Sequence, residues 1–330
     1  MNSFGRIFRV HIFGESHGDC VGVTIDGCPA GLLLTIDDFA PDIERRKGGN
    51  KGTTPRKEDD IPQIKTGLFN GKTTGAPITI LFDNTNVRSN DYEKQRNIPR
   101  PGHADFVAYK KFGGHEDYRG SGHFSGRLTV CLVAAGVIAK KIISEIKIEA
   151  NILEIGGETD LEKGLQKAID AKDSIGGIIE CKANGLPVGL GEPFFDSAES
   201  LIAHIVFSIP AIRAIEFGTG SSAARMFGSE HNDAIVDESG KTKTNHSGGI
   251  VGGISNGNEL VFRIAIKPTS STPKEQQSLN WENNTVENFS VKGRHDLCIA
   301  LRVPVILEAV TAIVLSDLML LDQRIKRVIV

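Results

Sequence analysis

Apolar and polar positions change period several times along the chain, and each change marks an element. From 259 to 267 (ELVFRIAIK) they alternate, setting Leu260, Phe262, Ile264 and Ile266 on one face of a half-buried strand. Strand-like runs also fall at 7–12, 77–82, 147–153, 175–183 and 214–217. Elsewhere the period lengthens to that of a helix. The segment 37–46 (DDFAPDIERR) opens on Asp37 as a capping residue, with Pro41 near the first turn, where Pro is tolerated. Residues 127–146 are apolar over most of the helical circumference and small in the middle, which predicts a helix buried on several sides. The stretch 197–209 follows Asp196, which with Glu199 resembles a capping box. A last helix is predicted over 304–327, starting at Pro and ending in Lys and Arg, as the helix dipole favours. Strands and apolar helices intersperse without regular βα alternation, so the pattern favours an α+β layered fold over a doubly wound parallel sheet. No 20- to 50-residue period repeats and no Pro/Ser/Gly linker divides the chain, so residues 1–330 read as one domain.

Composition narrows the function. The balance of 38 Lys+Arg against 41 Asp+Glu gives a net charge of −3, so an anionic ligand must be gathered by a local cluster rather than a global field. That balance, with aromatic residues at 6% and no basic-aromatic stripe, excludes nucleic acid as the expected partner. Glycine is unusual: 37 of 330 residues is about 11%, against an average near 7%, with no collagen-like period. Such a chain often brings its backbone close to something. Five cysteines without a C-x-x-C pair argue against a disulfide framework or a zinc site and make a reducing cytosol the default. The N-terminus lacks an apolar signal region, and the longest strongly apolar stretch, 128–139, is about a dozen residues, too short for a bilayer. The expectation is a cytoplasmic protein with no membrane partner.

Several short motif matches carry no weight. The stretch 67–73 (GLFNGKT) has one residue too few between its glycines for a phosphate-binding P-loop. Residues 218–223 (GTGSSA) fit a loose dinucleotide pattern but lack the helix that must follow. Two G-x-S-x-G stretches, 14–18 and 253–257, likewise have no convincing helix after them.

Six stretches could carry chemistry. FGESHG, at 13–18, puts His17 on a sparsely encumbered loop, either as an acid–base group or as a solvated turn residue. In RPGHAD, at 100–105, a turn lets Arg100 and His103 face one pocket; the alternative is an ordinary surface turn. GGHEDYRGSGHFSGR, at 113–127, joins five glycines to Arg119, His123 and Arg127 just before a buried helix, which favours an anion site. The charged run 44–60 is a phosphate clamp or a solvated loop. Lys267 with the hydroxyls up to Ser271 makes a reasonable phosphate grip, and Asp296 in RHD is a base or an ion-pair partner. No metal-ligand spacing occurs. Together these point to an enzyme for a small, highly anionic ligand that uses histidine acid–base catalysis.

At these residues the chain resembles the chorismate synthases, through FRVHIFGESHG, RPGHAD, DYRGSG, GLGEP, NHSGGIVGGIS, KPTSS and GRHD, in that order and over nearly the whole length. The resemblance implies a β-α-β sandwich, with long helices between antiparallel sheets, assembled as a homotetramer. It implies 1,4-anti elimination of phosphate from 5-enolpyruvylshikimate 3-phosphate to give chorismate in the shikimate pathway, with reduced FMN required. By match, His17 protonates the leaving phosphate, His103 protonates or stabilises reduced flavin, and Asp296 assists deprotonation through the flavin. Ser16, Arg46, Lys51, Arg100, Arg127 and Arg294 fall at substrate-binding positions. Flavin contacts map to His123, Phe124 and Ser125, to Pro210 and Ala211, to Gly252, to Lys267, Pro268, Thr269, Ser270 and Ser271, and to Arg294. The sequence departs from the common pattern where His123-Phe124-Ser125 stands for Arg-Ser-Ser and Pro210-Ala211 for Asn-Ala. Arg46 and Lys51 match positions that the family also links to NADP, and Lys at the second loses bidentate geometry. Without a credible dinucleotide fold, reduced flavin is expected from a separate reductase. An FMN-dependent oxidoreductase and a non-catalytic flavin or phosphometabolite binder are the competing classes; His17, His103 and Asp296 argue against the second.

Overall fold

The computed structural model describes residues 2–56, 58–86, 96–291 and 295–329. Its first sheet runs β1 (Ser3–Phe4), β2 (Arg9–Gly14), β3 (Cys20–Asp26), β7 (Ile78–Asp83), β4 (Gln63–Ile64) in spatial order, and every pairing is antiparallel. A short hairpin, β5 (Leu68–Phe69) and β6 (Lys72–Thr73), takes up the P-loop look-alike. The second sheet is ordered β10 (Ile212–Phe217), β13 (Leu260–Ile266), β9 (Gly177–Asn184), β8 (Lys147–Ile155), again antiparallel throughout. Two more hairpins, β11 (Ile250–Val251) with β12 (Ile254–Ser255) and β14 (Gln276–Asn280) with β15 (Thr285–Phe289), lie outside the two sheets.

The helices are α1 (Ala40–Arg46), α2 (Asp105–Phe112), α3 (Thr129–Ile142), α4 (Leu161–Ala171), α5 (Ala198–Val206), α6 (Gly228–His231) and α7 (Val303–Leu321). Helix α3 packs against β3 of the first sheet, α7 against β8 and β9 of the second, and α3 and α7 against each other. The fold is therefore α+β, a sandwich of two antiparallel sheets around buried helices, as the resemblance implies. Close approach of α3 and α7 depends on Gly136: a Cβ there would stand 2.3 Å from the Ala309 Cβ. The alternating face of β13 is buried as its pattern predicts, with Leu260 and Phe262 fully enclosed.

Element boundaries differ from the sequence reading where local chemistry decides them. The first helical segment is capped by Thr35 in a reciprocal box with Asp38, not by Asp37. Helix α5 is capped by Ser197, whose Oγ accepts from Ser200 N, while Asp196 pairs with Arg6. Helix α7 stops at Leu321, well short of 327, because Gln323 adopts φ 55° and turns the chain. Helix α7 and the segment ending in α3 are also longer than the expected dozen-residue run, and apolar enough to cross a bilayer by composition. Both are enclosed as core helices between the sheets.

Candidate active site

The functional loops converge on one cavity of about 670 Å³, within the size range of small-molecule sites. His17 follows β2 through Gly14, whose φ of 97° turns the strand into the loop. Gly120 lies directly on the His17 ring: a Cβ there would be 2.2 Å from its Cε1 and Nδ1. Gly120, Ser121 and Gly122 all have positive φ, so this Gly-Ser-Gly turn presses its backbone onto His17 while aiming Ser121 at His103. Burial lowers the His17 pKa, and the charges of Arg56 and Arg119 lower it further, so the unliganded imidazole is neutral near pH 7.

His103 sits after the Pro101-Gly102 turn, at the entry to α2. Its Nδ1 lies 2.6 Å from Asp105 Oδ1 and its Nε2 3.1 Å from Ser121 Oγ. The short contact to a carboxylate places the proton on Nδ1, leaving Nε2 to accept from Ser121. Burial lowers the His103 pKa, the Asp105 hydrogen bond opposes it, and Arg100 adds to the lowering. Asp105 also accepts from Arg100 Nε at 2.7 Å and Nη2 at 2.7 Å. Although burial disfavours its charge, these hydrogen bonds hold the Asp105 carboxyl well below the ordinary range. Asp296 accepts from Thr54 N at 2.8 Å and pairs with Arg302 Nη1 at 3.1 Å.

Among the described residues, five arginines (Arg46, Arg56, Arg100, Arg127, Arg302) and two lysines line the cavity against three carboxylates, Glu58, Asp60 and Asp296. A chain of net charge −3 thus gathers a local positive excess. Each arginine is already paired. Asp60 bridges Arg46 and Arg127, Glu58 accepts from Arg56 at 2.6 Å, Arg100 holds Asp105 and Arg302 holds Asp296. Burial works against the charge of Glu58, but Arg56 holds its carboxyl below the usual value.

At another part of the lining, Lys267 Nζ donates to Ser270 Oγ at 2.6 Å and Gly102 O at 3.1 Å, and Ser271 Oγ accepts from Arg100 Nη1 at 3.0 Å. The Thr269 hydroxyl lines the cavity buried, with no hydrogen-bond partner among the described residues. Leu132, Ile205, Ile209, Ile299 and Ile306 supply apolar wall. Hydroxyls and an ammonium beside such a wall are a donor set that fits a flavin mononucleotide, with its phosphate tail and planar ring.

Of the expected residues, His17, Arg46, Arg100, His103, His123, Phe124, Ser125, Arg127, Pro210, Ala211, Lys267, Thr269, Ser270, Ser271 and Asp296 line this cavity. Ser16 is buried beside it, its Oγ accepting from Arg56 Nη1 at 3.1 Å. Lys51 is exposed, Gly252 lies in the turn between β11 and β12, and neither they nor Pro268 line it. Arg294 lies outside the described residues. His123 is anchored at Nδ1 by Gly14 O, 2.8 Å away, and Phe124 packs on Phe112. Arg119, expected in the anion site, instead pairs with Asp117 at 2.8 Å and does not line the cavity. Arg56, Glu58, Asp60, Asp105 and Arg302 were not singled out from the sequence. Asp105 stands inside RPGHAD and the first three inside the charged run, where acids among basic residues were the available signal. Arg302 carries none.

The family model described as chorismate synthase matches residues 8–320. The chain belongs to the chorismate synthase family. A chorismate synthase of Chitinophaga pinensis is 71% identical over 329 residues, covering 99% of both chains. Those of Dehalococcoides mccartyi (45% identical, 99% of both chains covered) and Methanocaldococcus jannaschii (41%, covering 97% of this chain and 96% of the relative) are also similar. A chorismate synthase crystal structure superposes with a TM-score of 0.74 at 26% identity, over 96% of this chain and 93% of that one. Chorismate synthases are lyases acting on a small molecule, and apart from Asn2, Ser3 and Phe4 the cavity lining lies within the matched span.

Proposed function

We propose that the cavity performs the 1,4-anti elimination of phosphate from 5-enolpyruvylshikimate 3-phosphate, giving chorismate, with reduced FMN as cofactor. The observation that carries this reading is the meeting of His17, His103 and Asp296 with five arginines around one cavity. The ring C–O bond to phosphate breaks, a ring proton is lost, and a second ring double bond forms with no net redox change. Arg46, Arg100 and Arg127, with Arg294 by family match, neutralise the two carboxylates and the phosphate. Preorganisation of Arg46, Arg100 and Arg127 by their carboxylate partners spares reorganisation as charge shifts to the leaving group. His17 protonates that leaving group. Its imidazole is neutral in the unliganded site, and an arriving phosphate dianion raises its pKa, so the substrate itself recruits the proton it needs. Asp296 serves deprotonation, kept oriented by Thr54 N and Arg302.

Lys267, Thr269, Ser270, Ser271, Ser125 and the Pro210-Ala211 turn would hold FMN, with the apolar wall beside its ring. The chemistry that bound reduced FMN would supply here is transient electron density for the departure of phosphate. His103, fixed through Asp105, donates to or stabilises that reduced form. The protein is cytoplasmic and homotetrameric in this reading, forms one domain, and takes reduced flavin from a separate reductase. Anaerobic incubation with the phosphorylated substrate tests it. Phosphate and chorismate should appear in equal amounts with dithionite-reduced FMN and not when flavin is omitted. Phosphate release without flavin, or none with it, would reject the assignment.

A further inference from the structure

The Asp60 carboxylate is 1% exposed and takes one arginine on each oxygen: Arg46 Nη2 donates to Oδ2 at 2.8 Å, and Arg127 Nη1 donates to Oδ1. Asp60 is one of the few non-glycine residues with positive φ, at 52°. That conformation is uncommon outside Gly, Asn and Asp, and where it persists the surroundings have to enforce it. Here it turns the carboxylate inward, under the arginines.

Each guanidinium has further fixed partners. Arg46 Nη1 donates to Thr129 Oγ1 at 3.1 Å; Arg127 Nε donates to Asn84 Oδ1 at 2.9 Å and its Nη2 to Asp83 O at 3.1 Å. The charged groups facing this pair are Asp60 itself, Glu58 on the Arg127 side, and Arg302, which donates through Nε to Arg46 O at 2.9 Å and is itself paired with Asp296. Within the Arg46–Asp60–Arg127 triad, two guanidinium groups against one carboxylate leave a single positive charge, held in one geometry.

We propose that Asp60 is the positioning residue of the lyase site: one buried carboxylate holds Arg46 and Arg127 as a rigid pair. This rests on the function proposed above. Asp60 touches neither substrate nor flavin in this account; it acts through the two arginines. Its role separates from ordinary anion binding by sign. Asp60 repels an anionic substrate, so an arrangement built only for affinity would do better without it. Its benefit lies in orientation, which appears in kcat. Its charge also opposes the burial that brings the Arg46 pKa down to about 10, so without Asp60 that guanidinium loses its proton at lower pH.

The test compares wild type, Asp60→Asn and Asp60→Glu by steady-state anaerobic kinetics with reduced FMN. Substrate binding is measured separately by calorimetry without flavin, and melting temperature alongside. Asp60→Asn should lower kcat at least tenfold without raising KM, and beyond the His17 limb its kcat/KM should fall further at alkaline pH than that of the wild type. Asp60→Glu keeps the charge but reaches one carbon further from a left-handed backbone; it should lose kcat yet keep the wild-type alkaline profile. It is read first, since it keeps the arginines paired. Wild-type kcat in Asp60→Glu, or a raised KM at wild-type kcat in Asp60→Asn, would overturn the proposal. So would pH profiles of one shape in all three proteins. A wild-type protein that binds the substrate but forms no chorismate would reject the lyase reading instead, an outcome separable from these.

Discussion

Under the proposed function His17 has two neighbourhoods, one before and one after the phosphorylated substrate arrives. Alone, burial and the charges of Arg56 and Arg119 keep it deprotonated below its ordinary pKa. A phosphate dianion beside it reverses the balance. The alkaline limb due to His17 should therefore lie at higher pH in the kcat profile, which reports the complex, than in kcat/KM, which reports the free enzyme. The limb should vanish in His17→Gln. Coincident limbs would mean that phosphate does not sit beside the imidazole. Arg100 does two jobs, since it faces the cavity and also fixes Asp105 and through it His103. Arg100→Ala should raise KM at least tenfold and lower kcat as well, whereas a purely electrostatic anchor would raise KM alone.

The long helices exist to carry these loops, and their seam has one tight point. Gly136→Ala would place a methyl 2.5 Å from the Ala309 Cα, so backbone must move; overpacking of this kind costs about 1–3 kcal/mol. Calorimetry should show that loss in melting temperature, with part of it recovered by Ala309→Gly in the same chain; no change would mean the helices have slack. Buried Asp317 on α7 accepts the backbone N–H groups of Arg6, Ile7 and Phe8 at 2.8, 2.7 and 2.8 Å, tying the first sheet's leading loop to the core. Asp317→Ala strands three donors and should cost about 2 kcal/mol or more.

At this scale the sequence was readable where periodicity ran long: β13, α3 and α7 were all foreseen. It was less so where the signal is short or mixed. Strand β3, the centre of its sheet, reads CVGVTID, and its mid-strand glycine and polar ends hide a buried strand. Helix α4 was missed because its face is narrow, and α2 because its aromatics remain largely outside the core. The site divides in the same way. Residues in glycine-flanked motifs were legible one by one, but their carboxylate partners were not, because Asp60 reaches Arg127 across 67 residues of chain.

Over the whole molecule, a net negative chain concentrates cations in one cavity, which under the proposed function receives a polyanion. Long-range attraction of that kind is screened by salt, so kcat/KM should fall as ionic strength rises from about 0.05 to 0.5 M, with kcat much less affected. A flat kcat/KM would mean that the paired arginines present little net field. In the proposed function the cavity expels phosphate with His17 as the proton donor. Phosphate and chorismate formation by His17→Ala should be compared with wild type, anaerobically, with reduced FMN and saturating substrate. The account predicts at least a hundredfold loss of turnover, the usual weight of a positioned acid, with substrate affinity largely kept. Turnover like that of the wild type would remove His17 from the chemistry and contradict the account.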